Sequence, residues 1–187
     1  YHDAFFLAHL MSLILLQLST CFHSLLCLYR SIGSWGLMAN AWGFDGSQNH
    51  PPHMFAWSKY ILGWITPTIV VSSAGTFSLL QACDNIDMLM INEGYPCGEY
   101  LLIENRQPCA FKTKIGQGGL VIYHIDSNAN NFVGYPQQPE WPQNANHYKV
   151  AVLQAESSYG LEKGLDRGDS RDIFHAGDVF SIGPDGT

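Results

Sequence analysis

The stretch EYLLIENRQPCAFKTKIGQGGLVIYHID, residues 99–126, carries two strand patterns separated by turn residues. Its first part, Glu99–Glu104, is compact and apolar at its centre. Its last part, Gly119–Ile125, is apolar and rich in β-branched and aromatic residues, which favour extended backbone. We therefore predict a strand at each end of this stretch.

Shorter patterns on either side extend the β-rich region. We predict further strands at Thr68–Ser72, Thr76–Gln81 and Lys149–Ala155. Asn, Pro and Gln are frequent in Asp126–His147, which we expect to be a long irregular loop. Residues 66–187 are thus expected to form a mainly antiparallel, β-rich module.

A helical part precedes these strands. Four apolar residues recur there at spacings of three and four, namely Met54, Trp57, Ile61 and Trp64. This spacing predicts a short amphipathic helix over residues 52–63, with Gly63 as its stop. The segment Gly33–Gly46, with four glycines among aromatic residues, predicts a tight, packed loop. Thr66–Pro67 is the expected boundary between the helical and the β-rich parts.

The composition limits the classes of partner. The 187 residues are 47% hydrophobic and 13% charged, which suits one domain with a substantial core. Nine Lys and Arg residues stand against 16 Asp and Glu residues, giving a net charge of −7. A nucleic-acid-binding surface needs a basic footprint, so we expect no nucleic-acid partner.

Ala4–Tyr29 is an uncharged, Leu-rich run with three open interpretations. Its length fits a transmembrane or signal-type segment. A thin polar stripe at helical spacing instead favours a buried amphipathic helix, through His9, Ser12, Ser19, Thr20 and His23. The third interpretation is that residues 1–30 are not native coding sequence. Because the chain begins with Tyr1 and not Met, we also expect a fragment or a processed product.

Four phrases together resemble the immune inhibitor A family of secreted zinc metalloendopeptidases, in the family's order and rough spacing. They are GSWGLMA at 33–39, PHMFAWSK at 52–59 running into LGW at 62–64, EYLLIENRQ at 99–107 and GGLVIYHID at 118–126. The resemblance covers about Ile32 to Gly177. It implies an α+β fold in which residues 31–65 are the back of a metzincin-like catalytic domain, with the Met loop and a helical remnant.

The resemblance also implies chemistry. Family members hold zinc on an upstream His-Glu-x-x-His helix, where the two His bind the metal and the Glu acts as general base on the bound water. Met38 and Trp35 correspond to a loop that places a thioether beneath the metal. The other interpretation of Met38 is a buried methionine in a glycine-rich turn. Protein or peptide substrates and a secreted location follow from the resemblance as well.

The chain departs from this pattern at the metal site. No His-x-x-x-His pair exists among its eight histidines. Alignment on Leu28-Tyr29 puts Gln17 and Cys21 where the family has histidine, and Leu18 where it has glutamate. We therefore expect no zinc ligands and no catalytic residues in the chain as written.

Three other residues are candidates for support of the catalytic cleft. Glu104 and Arg106 lie one step apart on a strand face, where they could form an ion pair. His124 lies in mid-strand and reads first as a hydrogen-bonded strand or core histidine. Ordinary packing is the default for all three, and the resemblance adds a role in supporting the cleft.

An acidic segment near the end offers a second kind of metal site. In GLDRGDSRDIFHAG, residues 164–177, Asp166, Asp169 and Asp172 recur every three residues. Carboxylate oxygens on a flexible loop suit calcium. A solvated loop neutralised by Arg167 and Arg171 is the default interpretation. Any metal that this chain binds is expected to be calcium and not zinc.

Cysteine usage leaves the redox compartment open, since five cysteines cannot all pair within the chain. If the protein is secreted, we expect Cys97 and Cys109 to pair across the strand between them.

The function expected from the sequence is a fragment of a secreted zinc metalloendopeptidase that is inactive as written. The alternative is a non-catalytic binding or structural β-module, anchored in a membrane through residues 4–29.

Overall fold

A computed structural model describes residues 31–47, 49–70, 75–109, 114–129 and 148–179. Five strands form one sheet, ordered along the chain as β1-β2-β3-β4-β5. They are β1 (Thr68–Ile69), β2 (Leu89–Ile91), β3 (Glu99–Arg106), β4 (Gly119–Asp126) and β5 (Val150–Val152). Only β1 and β2 run parallel, so the sheet is mainly antiparallel as predicted.

Two α-helices and two 3₁₀ turns accompany the sheet in the described residues. The helices are α1 (Ala56–Ile61) and α2 (Gly160–Lys163), and the turns are Gly33–Trp35 and Ser170–Asp172. The architecture is thus mixed α+β with a β-rich part. None of the helices in the described ranges has the length and apolar character needed to cross a membrane. The run Ala4–Tyr29 lies outside those ranges.

Most predicted strands are confirmed. The β3–β4 pair is in register over all eight residues of each strand, from Glu99 opposite Asp126 to Arg106 opposite Gly119. The predicted strand Lys149–Ala155 is shorter and forms β5. Of the predicted strand Thr68–Ser72, Thr68–Ile69 forms β1, whereas Val71 and Ser72 lie outside the described residues. So do residues 130–147 of the predicted long loop.

Two strand predictions need correction. Thr76–Gln81 forms no strand, because only Gln81 reaches a partner, as an isolated bridge to Asn105. Its apolar residues Phe77 and Leu80 are exposed. The strand Leu89–Ile91 was not predicted, since its sequence LMI is short and only Ile91 is β-branched. Pairing with β1 and β3 makes it a strand.

Helix α1 begins at Ala56, four residues later than predicted, and leads through Leu62 to Gly63 in a left-handed conformation (φ 70°). Phe55 is still extended. The carbonyl of Met54 accepts a hydrogen bond from Arg106 Nη2 at 3.1 Å. Because the Met54 carbonyl accepts this bond from a β3 side chain and not from a helix amide, the helix starts after Met54.

The core joins the segments on both sides of Thr66–Pro67. One face of the sheet contributes Met90, Leu102, Val121, Tyr123, Ile125, Val150 and Val152, which cluster with Ile32, Trp35, Phe55, Ala56, Leu161 and Ile173. The opposite face contributes a smaller cluster of Leu89, Leu101, Ile103 and Ile122. The predicted packed loop therefore lies against the first face.

Candidate functional site

A fully buried carboxylate lies in the middle of the face that the loop covers. Glu104 shares this face with Leu102 and Arg106, because side chains alternate along β3. Its exposed fraction is 0%, and that of Arg106 is 4%. A buried charge is tolerated only where partners satisfy it.

Three side chains satisfy Glu104. The Nε of Arg106 donates to Glu104 Oε1 at 2.7 Å, which confirms the predicted ion pair. The hydroxyl of Tyr123 donates to the same oxygen at 2.8 Å. Lys59 Nζ, from α1, donates to Oε2 at 2.6 Å. We call these four residues, Lys59, Glu104, Arg106 and Tyr123, the Glu104 cluster.

Electrostatics keep Glu104 ionised. Burial acts to raise the pKa of its carboxyl, but Arg106 and Lys59 outweigh burial and lower the pKa to about 2. Burial and the Glu104 charge raise the pKa of Tyr123 well above its usual value, so the phenol keeps the proton that it donates. Burial, followed by Arg106 and Lys59, lowers the pKa of the neighbouring His53 to about 4. The cluster is thus a fixed arrangement of charges at neutral pH.

Arg106 connects the Glu104 cluster to the loop Gly33–Gly46. Its Nη2 donates to the carbonyl of Trp35 at 3.2 Å, besides the bond to Met54 described above. One guanidinium therefore holds the beginning of the loop and Met54, two residues before α1, against the same strand. A planar fork of five donors suits this task, which a lysine ammonium cannot reproduce.

The loop Gly33–Gly46, called the Met loop below, is internally cross-linked. Asn40 is buried, and its Nδ2 donates to Ser34 Oγ at 2.8 Å. The rings of Trp35 and Phe44 meet edge to face at 4.8 Å between centroids. Met38 is partly buried and packs against the main core. A tight, packed loop was the prediction, and it is confirmed.

Gly33 is required by its surroundings. Its φ is +56°, and a Cβ there would lie 2.4 Å from the carbonyl oxygen of Arg167. The same carbonyl accepts a hydrogen bond from Ser34 N at 2.7 Å. The absence of a side chain thus lets the Met loop approach the acidic segment.

The acidic segment holds the loop from its other side. Asp172 is 1% exposed, and its Oδ2 accepts from Trp35 Nε1 at 2.9 Å. Its Oδ1 accepts from Gln154 Nε2. Asp169 caps the turn Ser170–Asp172, in which Asp172 Oδ2 also accepts from Asp169 N at 2.7 Å. Asp172 therefore anchors the indole of the Met loop.

The calcium candidates are not brought together as a set of ligands. Asp169 pairs with Arg171 at 2.6 Å, and Asp166 accepts from Gly168 N at 2.9 Å. In the part of the chain described by the structure, no group of three or more His, Cys, Asp or Glu side chains could hold a metal ion. Calcium binding by these residues stays a prediction.

The histidines have local partners. His124 Nε2 lies 3.1 Å from Glu99 Oε2, which matches the hydrogen-bonded strand histidine expected from the sequence. It lies opposite Leu101 and therefore on the other face of the sheet from Glu104. His50 pairs with Asp45 at 2.8 Å, and His53 Nδ1 donates to the Met54 carbonyl at 2.9 Å. His124 is thus not part of the Glu104 cluster.

A surface cleft of about 700 Å³ borders the Met loop. Its lining consists of Ala39, Asn40, Ala41, Trp42, Gly46 and Arg167. Trp42 is 53% exposed there. None of these lining residues belongs to the Glu104 cluster.

Sequence reasoning missed Lys59, Tyr123 and Gln154. Lys59 lies off the apolar stripe of the helix and would be assigned to solvent. Tyr123 looks like an ordinary strand aromatic. The available signal was the Glu104–Arg106 pair itself, because a buried ion pair needs further hydrogen-bond partners for its remaining polar atoms.

Comparison with known proteins found no matching family model, no matching curated protein and no matching solved structure. The resemblance to the immune inhibitor A family therefore rests on the four motif phrases alone.

Proposed function

We propose that this chain supplies the Met loop and the supporting sheet of an immune inhibitor A-like zinc metalloendopeptidase, and that the chain as written is not catalytic. The observation that carries the proposal is the clamping of the Met loop between Arg106 and Asp172. Two buried, charged side chains bind one residue, Trp35, one at its backbone carbonyl and the other at its indole. Such fixing suits a loop whose position matters to chemistry nearby.

The motif phrases of the resemblance coincide with the contacts of the clamp. Trp35 lies in the first phrase, Met54 and Lys59 in the second, Glu104 and Arg106 in the third and Tyr123 in the fourth. Four separate phrases thus meet in one buried network. This convergence indicates that the four phrases have one structural role. The resemblance implies that the role is to support a metal site from beneath.

Zinc does not fit the residues present. The described part of the chain has no suitable group of ligands, and the sequence contains no His-x-x-x-His. A structural or catalytic zinc needs at least three well-placed protein ligands. We therefore derive no catalytic step from this chain. Protein or peptide substrates and secretion belong to the proposal only through the resemblance.

The alternative is a non-catalytic binding module, with residues 4–29 as its membrane anchor. The exposed Trp42 in the cleft beside the Met loop favours this alternative, because exposed tryptophans are enriched in binding surfaces. In that case the clamp would hold a recognition loop.

The deciding experiment is to read the genomic and transcript DNA around codons 1–30. The metallopeptidase proposal expects a His-Glu-x-x-His in another frame or exon. Joining that segment to residues 31–187 should give casein hydrolysis that a chelator abolishes. The matched control changes the motif's glutamate to glutamine, which should bind zinc but not cleave. Absence of the motif, or a zinc-loaded joined protein that cleaves no more than its control, would favour the binding module.

A further inference from the structure

Two thiols that are distant in sequence come together at the end of β3. Cys83 and Cys109 are hydrogen-bonded through their side chains and are each partly buried. Cys97, the partner expected for Cys109 from the sequence, is exposed. It lies two residues before β3, whereas Cys109 lies three residues after it. The eight residues of β3 put its two ends about 23 Å apart. Cys97 lies beside Asn128 at one end and Cys109 follows the other end, so the predicted Cys97–Cys109 bond is wrong.

The backbone fixes the Cys83 side of the pair. Gln81 forms a parallel bridge with Asn105, and Ala82 N donates to the Asn105 carbonyl at 2.8 Å. In return Asn105 Nδ2 donates to the Leu79 carbonyl at 2.9 Å. These bonds hold the residues just before Cys83 beside the strand that leads to Cys109.

We propose that Cys83 and Cys109 form a disulfide bond when the protein meets an oxidant of the low-molecular-weight disulfide class, such as oxidised glutathione. A protein thiolate attacks the oxidant and releases one glutathione, and the second protein thiol then displaces the other. The two protein S–H bonds and the S–S bond of the oxidant break. One protein S–S bond and two glutathione thiols form, so two electrons pass to the oxidant.

The surroundings of the two thiols determine how fast the disulfide forms and what it does to stability. Burial raises the pKa of the Cys83 thiol to about 11, with Cys109 adding to the effect, so oxidation should be faster at alkaline than at neutral pH. The bond would close a loop of about 25 residues containing β2 and β3, which restricts the unfolded chain. Cys83 also interacts electrostatically with Lys59, so the bond would adjoin the Glu104 cluster. This inference does not depend on the proposed function.

The test uses the full chain, reduced and then incubated with oxidised glutathione at pH 8. Peptide mapping without reductant should show the Cys83 and Cys109 peptides joined, with the loss of two hydrogen atoms. The midpoint of thermal unfolding should rise by about 5–10 °C over that of the reduced protein. Cys83→Ser and Cys109→Ser should each abolish the shift, whereas Cys97→Ser should retain it.

Two outcomes would overturn the proposal. One is a link from Cys83 or Cys109 to any other cysteine, including Cys21, Cys27 or Cys97. The other is that both thiols remain open to alkylation after prolonged exposure to the oxidant.

Discussion

Glu104 is the residue on which the buried charges depend. Glu104→Gln removes the only negative charge seen between Lys59 and Arg106 in the described structure. Breaking a buried pair from one side leaves an uncompensated charge, so we expect the free energy of unfolding to fall by about 3–5 kcal/mol. Urea unfolding followed by tryptophan fluorescence measures this loss. Glu93→Gln, on an exposed turn, is the matched control and should change stability by less than about 0.5 kcal/mol.

The pH dependence of stability should carry the signature of Glu104. The pKa of this carboxyl is about 2 in the folded protein and ordinary, near 4.5, when unfolded. A lowered pKa contributes stability that is complete above pH 4.5 and is lost as the pH falls to 2. Its size is on the order of 3 kcal/mol. His53 also titrates near pH 4, so the measured quantity is the difference in stability between wild type and Glu104→Gln.

That difference should be largest at pH 6 and should shrink steadily between pH 4.5 and pH 2. Urea unfolding of both proteins in buffers of constant ionic strength follows it. A difference that stays constant over this range would mean that Glu104 is not held ionised by Lys59 and Arg106.

At the scale of elements, the turn Ser170–Asp172 and the Met loop should be energetically coupled. Trp35→Phe and Asp172→Ala remove the two partners of the bond between the indole and the carboxylate. A double-mutant cycle should give a coupling free energy of about 1–3 kcal/mol, because the bond is buried and its acceptor is charged. Asp178 accepts from His175 N instead, so Trp35→Phe with Asp178→Ala should be additive. Additivity in the first pair would mean that the two elements do not support each other.

The strands that could be predicted are those that carry their own pattern. In β3 and β4 the apolar residues are dense enough to specify a strand whatever surrounds it, and their eight-residue pairing follows. In contrast, β2 depends on its neighbours, since Leu89–Ile91 has no strong preference until β1 and β3 flank it. The start of α1 depends likewise on the distant Arg106, which takes the Met54 carbonyl. Local patterns cannot reveal either event.

The candidate site shows the same division. Glu104 and Arg106 were predicted to pair because they are two residues apart on one strand face. Lys59 and Asp172 lie 45 and 137 residues from the partners they meet, and no spacing rule connects them. The acidic segment has the same limit, because the even spacing of its aspartates does not reveal that Asp172 is buried against Trp35.

For the whole molecule, we expect the chain as written to show no zinc-dependent proteolysis. It lacks the paired histidines and the general base, and a Met loop without ligands cannot hold a metal. Purified protein incubated with zinc and casein should cleave no faster with zinc than with chelator. Metal analysis after dialysis should find far less than one zinc per chain. Chelator-sensitive cleavage that follows the protein through two purification steps would contradict this expectation.

Amide hydrogen exchange of Gly33–Gly46 tests directly whether the Glu104 cluster fixes the Met loop. The exchange is compared between wild type and Glu104→Gln. Several amides of this loop are hydrogen-bonded, including those of Ser34, Ala39 and Asn40. We predict that the free energy of loop opening falls in the variant by as much as the global stability does, and remains unchanged in Glu93→Gln. Loop amides that exchange at wild-type rates in Glu104→Gln, while those of β3 and β4 exchange faster, would contradict it.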